Sequence, residues 1–524
     1  MSGLTRRDAL RLAGVIGAAG ALTACTSGRP KAGPTGPSTA TPSPTPSPAG
    51  SPAPPNWPQL AGDLKGRLLR PSSSGYAAAA RLYNPRFDAS ARPAAIVAAA
   101  TAADVATAVR FAADAGVPFA MRSGGHSYPG WSTGSGLVID VSALNAVAVD
   151  TTHHLVKIGS GARLVNAYAA LAAKGAGIPA GSCPTVGIAG LAMGGGVGVL
   201  TRPWGLTCDA ITSIEIVTAD GTLRTVDAQH DPDLFWALRG GGGGSFGAVT
   251  AFTLATRPAP AVSTFYLTWP FSAGADVIDA WQSWIHAADK RLNSTCKVLA
   301  DPRSDSRTPL IAGTWIGPAS EMSAQLKPLL AKLPAPKSQS LHAHTYLDAM
   351  LLEAGCSGDS AASCMSSALT PSERQPFAAT SSIVNGTIPS AAISMALKQA
   401  TAGLNVSQLY EGGISFDSLG GTAGDLGSST TAFGHREAVA TVQYTATWTD
   451  PATAPKRFDD YVRGFRAAMT PWFGSGAYVN YADASISDYT SAYWGPNYPR
   501  LQQVKTDYDP HNLFTFPQAV RPAA

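Results

Sequence analysis

The stretch Cys183-Pro-Thr-Val-Gly-Ile-Ala-Gly-Leu-Ala-Met-Gly-Gly-Gly-Val-Gly198 constrains this chain more than any other. It sets one thiol beside a run of glycines, each of which costs a helix or strand interior roughly 0.5–1 kcal/mol relative to alanine. A segment that gives up so much propensity is built for close backbone approach. Bare amides can cradle a phosphate, and a missing Cβ lets a flat ring lie against the main chain. The expected occupant is a large planar, phosphate-bearing cofactor. Gly190-x-x-x-Gly194-Gly195 is nonetheless a poor dinucleotide fingerprint, because no strand leads into it.

With 524 residues, 14% charged and 45% hydrophobic, the chain can form two or more domains with real cores. A formal charge of +4 without any Lys/Arg block argues against nucleic acid as a partner. Arg6-Arg7 precedes an apolar run, Leu12 to Thr23, which has the length of a signal core and is too short to span a bilayer. The pair resembles a twin-arginine export signal, although Ala9 and Leu12 depart from the usual pattern. Leu22-Thr-Ala-Cys25 resembles a bacterial lipobox, which would make Cys25 a lipid anchor and the only membrane attachment. An ordinary secretory signal with an incidental cysteine is the alternative. Residues 26–58 are almost wholly Pro, Ser, Thr, Gly and Ala and read as an extended tether.

The folded part mixes short strands and helices. Ile96 to Ala99 reads as a strand, Thr101 with Asp104 caps a helix carrying Val105, Val109 and Ala112, and Val117 to Met121 is the next strand. Asp220-Gly221 joins Ile214 to Thr218 and Thr222 to Val226 as a tight hairpin. From about Ala259 the texture changes to strands at Phe265 to Trp269, Lys297 to Leu299, Leu310 to Trp315 and Ala438 to Trp448. These alternate with helices at Val277 to Ala288 and Met322 to Leu333, as in a sheet with helices on one face. Cys356 to Gly386 reads as surface loop. The pattern argues for an α+β chain.

Four blocks then occur in one order: Arg122-Ser-Gly-Gly-His126-Ser, Cys183-Pro-Thr-Val-Gly, Asp233-Leu-Phe-Trp-Ala-Leu-Arg239 with its glycine run, and Tyr478-Val-Asn-Tyr481 with Asp509-Pro-His-Asn512. Together they resemble the berberine-bridge-enzyme-like flavoprotein oxidases, FAD-linked oxidases of the PCMH or vanillyl-alcohol-oxidase fold. The likeness covers roughly residues 75–524. It implies an FAD-binding domain at 75–258, a substrate domain at 259–470 and a carboxy-terminal segment at 471–524, behind the signal at 1–25. His126 matches the histidine bonded to the flavin 8α-methyl carbon and Cys183 the cysteine bonded to flavin C6, so the implied cofactor is bicovalent FAD. By residue type alone, a turn histidine and a small buried thiol remain open. Arg122, Ser123, Gly124, Gly125, Ser127, Gly187, Gly190, Gly194, Gly195, Gly198, Phe246, Gly247, Val249 and Asn480 would line the FAD. Val186 matches the position that gates oxygen, and valine there resembles an oxidase.

Oxidising an alcohol requires a base for the hydroxyl proton while hydride leaves carbon. The resemblance points to Tyr478 and Tyr481. Alternation along a strand would put them on opposite faces, and Tyr478 is the favoured base. Asp417 matches a carboxylate that assists the tyrosine in some sugar oxidases, with turn capping as its alternative. Tyr128 and Tyr444 could border the pocket or simply pack. Cys356 and Cys364 could pair in an oxidising compartment, and no ligand set for a metal occurs. The expected protein is an exported oxidase of a carbohydrate or secondary-metabolite alcohol that reduces O2 to hydrogen peroxide. A dehydrogenase passing electrons to a quinone or protein, and a flavin- or sugar-binding lipoprotein without turnover, are the competing readings.

Overall fold

The computed structural model describes residues 54–370 and 373–523; the segments expected to be an export signal with Cys25 and, up to residue 53, a tether lie outside them. The described part is an α+β fold of two sheet-bearing units with a cavity between them. In the first unit a four-stranded sheet runs in the order Arg67–Leu69, Ala95–Ala98, Leu137–Asp140, Phe119–Arg122. Its last three strands are parallel. The cap on the helix Ala102–Asp114 forms as expected, with Asp104 N donating to Thr101 Oγ1 at 3.2 Å and Thr101 N to Asp104 Oδ2 at 2.9 Å. The buried Asp104 carboxylate also accepts from Lys65 N and Gly66 N. It thereby ties in the strand Arg67–Leu69, so this unit begins ahead of residue 75.

A five-stranded antiparallel sheet follows, in the order Val147–Asp150, Leu155–Gly159, Ala248–Ala255, Ile211–Val217, Leu223–Asp227. Its last pair is the hairpin that Asp220-Gly221 predicts, with Gly221 at φ +72°.

The second unit is a seven-stranded antiparallel sheet in the order Ser338–His344, Val262–Thr268, Ser306–Ile316, Leu292–Asp301, Glu411–Ser418, Ala440–Thr447, Phe377–Val384. Period-2 alternation divides its faces. Cys296, Val298, Ile414, Phe416, Val442 and Tyr444 are buried against the helices Gly274–Ala287, Ser390–Ala402 and Lys456–Phe473. Their neighbours Thr295, Lys297, Ser415, Asp417, Gln443 and Thr445 face the cavity. Tyr444 therefore packs, with its ring 5.0 Å from Phe465, and does not border the pocket.

The expected loop from Cys356 to Gly386 is corrected: it contains the helix Ala361–Ala368 and the buried strand Phe377–Val384. Cys356 and Cys364 are disulfide-bonded. Arg202 fastens the units together, giving hydrogen bonds to the carbonyls of Leu292, Leu419 and Ala288 at 2.8, 3.0 and 3.1 Å. After the helix Lys456–Phe473 the chain leaves the seven-stranded sheet and returns to the first unit. There the buried Lys505 Nζ donates to Ser245 O at 2.6 Å.

Candidate active site

One cavity of about 700 Å³ runs between the units. Its first wall is built from the turns 122–128 and 183–187. Gly124 and Gly187 bring their backbones together so closely that a Cβ on Gly124 would lie 2.2 Å from Gly187 N, and one on Gly187 would lie 2.4 Å from Gly124 N. This contact, which only glycine permits, carries His126 and Cys183 to the same end of the cavity. His126 Nε2 lies 2.9 Å from Thr185 Oγ1, and the ring stacks on Tyr83 at 3.7 Å. Burial, and then the Arg163 guanidinium, hold His126 well below the ordinary imidazole value, so the ring is neutral. Burial pushes the Cys183 thiol up, against hydrogen bonds from Thr185, Tyr83 and Val186 that favour the thiolate. A neutral imidazole can act as a nucleophile, whereas the Cys183 thiol must first give up its proton.

Ser127, Val186, Gly190, Gly198, Gly247 and Val249 line the same wall, and so do Gly241 to Gly244, which the sequence reading left out. A Cβ on Gly190 would meet no protein atom within 4 Å. That empty strip along a helix is a cradle for a flat group, so the wall fits FAD. Arg122 and Ser123 line the wall too and are held from behind, Arg122 by Asp140 at 2.9 Å and Ser123, whose Oγ donates to Ser160 O at 2.6 Å.

Three expected flavin contacts are corrected. Gly194, Gly195 and Phe246 do not line the cavity. A Cβ on Gly194 would sit 2.0 Å from Asn480 Oδ1 and one on Gly195 2.8 Å from Phe433, so these glycines make room for protein side chains. Phe246 is a core residue at 1% exposure.

The tyrosine motif is not a strand. Val479–Tyr481 forms a 3₁₀ turn, in which positions three apart fall on one side. Tyr478 and Tyr481 accordingly touch edge to face at 4.9 Å rather than pointing apart. Their hydroxyls differ in what they meet. Tyr478 Oη accepts from Gly196 N at 2.9 Å, Val197 N at 3.1 Å and Asn480 Nδ2 at 2.8 Å. Asn480 Nδ2 also donates to Leu191 O at 2.9 Å, which fixes the amide's orientation. Two amides of the glycine-rich stretch thus bind a phenol instead of a phosphate. Burial raises Tyr478 to about 12, and these donors pull against it.

Tyr481 stacks on Tyr128 at 5.5 Å with planes 5° apart, and Gln443 donates to the Tyr128 hydroxyl. Burial, then the Asp417 carboxylate and the Tyr128 phenol, push Tyr481 well above the ordinary phenol value. Burial likewise raises Asp417, while Lys297 and Ser415 pull it back. Glu353, at the end of the helix Tyr346–Glu353, is raised by burial to about 7, with Lys297 opposing. Lys297 therefore stands near two carboxylates on the cavity wall.

Gln443, Lys297 and Glu353 join the site without having been singled out in sequence. Strand alternation was the available signal for Gln443 and Lys297, and Glu353, on a helix, had none. Tyr83 and Thr185 carried none. Among the described residues no group of three or more His, Cys, Asp or Glu could hold a metal, and no helix is long and apolar enough to cross a membrane.

Residues 93–227 match the family described as FAD binding domain, and residues 477–521 the family described as berberine and berberine like. The FAD-linked oxidoreductase YgaK of Bacillus subtilis is 34% identical over 80% of this chain and 89% of its own length. The chain is a berberine-bridge-enzyme-like FAD-linked oxidoreductase. The structure of Physcomitrella patens BBE-like 1 superposes with a TM-score of 0.81 at 29% identity, covering 89% of this chain and 99% of that one. A xylooligosaccharide oxidase of Thermothelomyces thermophilus is 29% identical over 82% of this chain and 88% of its own. This berberine-bridge-enzyme-like chain thus keeps the family fold from its first sheet to its tail.

Proposed function

We propose that this protein is an exported oxidase that converts a secondary alcohol or hemiacetal carbon of a carbohydrate to the carbonyl or lactone and reduces O2 to hydrogen peroxide. The observation that carries this reading is the facing of two walls across one cavity: a glycine-lined wall that carries His126, Tyr128 and Cys183, and a polar sheet face with Asp417 and Gln443, beside which the 3₁₀ turn sets Tyr481. FAD, bonded to His126 and Cys183, supplies the hydride acceptor. Tyr481 takes the substrate hydroxyl proton, with Asp417 as the neighbouring carboxylate. Tyr478 spends its lone pairs on the glycine-rich backbone and holds the turn. The hydroxyl, amide and charged groups of Thr295, Lys297, Ser415, Gln443 and Thr445 suit a polyol, in keeping with the oligosaccharide oxidase among its relatives. Val186 leaves oxygen a path. Export rests on Arg6-Arg7 and the segment ending at Cys25, and the Cys356–Cys364 disulfide accords with an oxidising compartment.

The test is anaerobic mixing of the purified yellow protein with a panel of oligosaccharides, then admission of air. Bleaching by at least one sugar, return of colour within seconds with one peroxide per turnover, and a yellow pellet on acid precipitation are expected. Reoxidation over many minutes would replace the oxidase by a dehydrogenase with a quinone or protein acceptor. A flavin that no alcohol bleaches would leave a binding protein.

Glu353 gives the wall its own pH response. With its carboxyl raised to about 7, it is neutral below that pH and charged above it. KM for the sugar should therefore change between roughly pH 6 and 8, and Glu353→Gln, locked neutral, should hold the low-pH value throughout.

A further inference from the structure

Thr185 stands between the two residues proposed above as flavin anchors. It is 1% exposed. Its hydroxyl lies 2.9 Å from His126 Nε2 and hydrogen-bonds the sulfur of Cys183. Tyr83 fixes the plane of that ring by stacking at 3.7 Å. Rotation within the plane is left to Thr185. The backbone of Thr185 is itself held, since Arg163 Nη1 donates to its carbonyl at 2.8 Å.

A hydrogen bond made by one imidazole nitrogen decides which form the other takes. Attack through Nδ1 needs the lone pair on that nitrogen, which puts the ring hydrogen on Nε2, where the Thr185 hydroxyl 2.9 Å away can accept it. We propose that Thr185 is a positioning residue for covalent attachment of the flavin, presenting Nδ1 of His126 and the sulfur of Cys183 through one shared hydroxyl. This inference rests on the bicovalent reading.

Each attachment balances in the same way. At His126, the bond from Nδ1 to the flavin 8α-methyl carbon replaces one carbon-bound hydrogen and the imidazole hydrogen on Nε2. At Cys183, the sulfur–C6 bond replaces the C6 hydrogen and the thiol hydrogen. The two hydrogens and two electrons released per bond pass to dioxygen as hydrogen peroxide. At His126, Nε2 begins as a donor and ends as an acceptor. A hydroxyl can follow that reversal by turning from acceptor to donor, and neither a carbonyl nor a methyl group can.

The test compares the native chain, Thr185→Val, Thr185→Ser and Cys183→Ala. Flavin surviving denaturation and the masses of the peptides carrying residues 126 and 183 are read at timed intervals after FAD is added to apoprotein. Thr185→Val, close in shape to threonine, should bind dissociable FAD but attach it about 10²-fold more slowly at both positions. Thr185→Ser should restore attachment, and Cys183→Ala should lose only the bond at residue 183. If Thr185→Val does not bind FAD, Thr185→Ala against Thr185→Ser makes the same comparison. Attachment at native rates in the valine variant, or a folded serine variant as slow as valine, overturns the role of Thr185 while leaving the bicovalent reading intact. Absence of covalent flavin in the native chain overturns both.

Discussion

Tyr481→Phe is expected to lower kcat by about 10²–10⁴-fold, the usual contribution of a positioned general base, with flavin content and KM for sugar nearly unchanged. The expectation follows from where the hydroxyl sits. The ring is held flat against Tyr128 at 5.5 Å and edge-on to Tyr478 at 4.9 Å, so removing one oxygen leaves its packing intact. Burial and the Asp417 carboxylate keep Tyr481 protonated at neutral pH. It cannot work as a preformed phenolate. On the proposed reading it takes the substrate proton as its own moves toward the carboxylate, which would require Asp417 to be ionised. Burial raises Asp417, so activity should fall, as pH drops, at a value above the ordinary carboxylate range. Asp417→Asn should remove that acid limb and lower kcat at every pH. Tyr478→Phe provides the contrast. It strips a partner from Gly196 N and Val197 N and should loosen the glycine-rich wall, with a lower melting temperature and weaker flavin retention. If Tyr478→Phe, and not Tyr481→Phe, abolishes flavin bleaching in a protein of native stability, the assignment of the base is reversed.

How far the sequence carried depends on whether a residue's role is local. Thr101 and Asp104 are three apart and cap each other. Asp220-Gly221 carries its own turn geometry, and Ala438 to Trp448 announces two faces by alternation. The order of the histidine, cysteine, glycine and tyrosine blocks identified the cofactor wall. The strand Phe377–Val384 escaped because its serines resemble a loop. Those serines are buried and bind other elements: Tyr478 N donates to Ser381 Oγ at 3.0 Å, and Tyr444 Oη to Ser382 Oγ at 3.2 Å. Tyr478 and Tyr481 were given strand alternation, whereas the turn that seats them depends on Ser381 and on amides nearly 300 positions earlier. Gly194 and Gly195 announced close approach correctly, but sequence cannot say whether a ligand or a side chain does the approaching. Asn480 and Phe433 do.

Lys505→Met is expected to destabilise the folded protein by about 3–5 kcal/mol, the cost of leaving a buried partner's charge uncompensated. Lys505 and Asp509 have side chains 0% and 1% exposed and are 2.6 Å apart. The ammonium's other two hydrogens go to Ser245 O at 2.6 Å and Phe514 O at 2.7 Å, which uses all three donors. Asp509 in turn accepts from Leu513 N at 2.7 Å and Phe514 N at 2.8 Å. With methionine at 505, the carboxylate keeps those amides but loses its countercharge. Adding Asp509→Asn should recover more than half of the loss, because the amide oxygen still accepts from the backbone while the charge is gone. Thermal melts of the native, single and double variants measure this, and a double variant no more stable than Lys505→Met would assign the loss to the missing hydrogen bonds instead. The consequence reaches the chemistry. Ser245 directly follows the cavity-lining Gly241 to Gly244, and Lys505 joins it to the segment that carries Tyr481. Loosening that joint should release the tail before the sheets melt, so activity and flavin retention should decline at a lower temperature than the global transition.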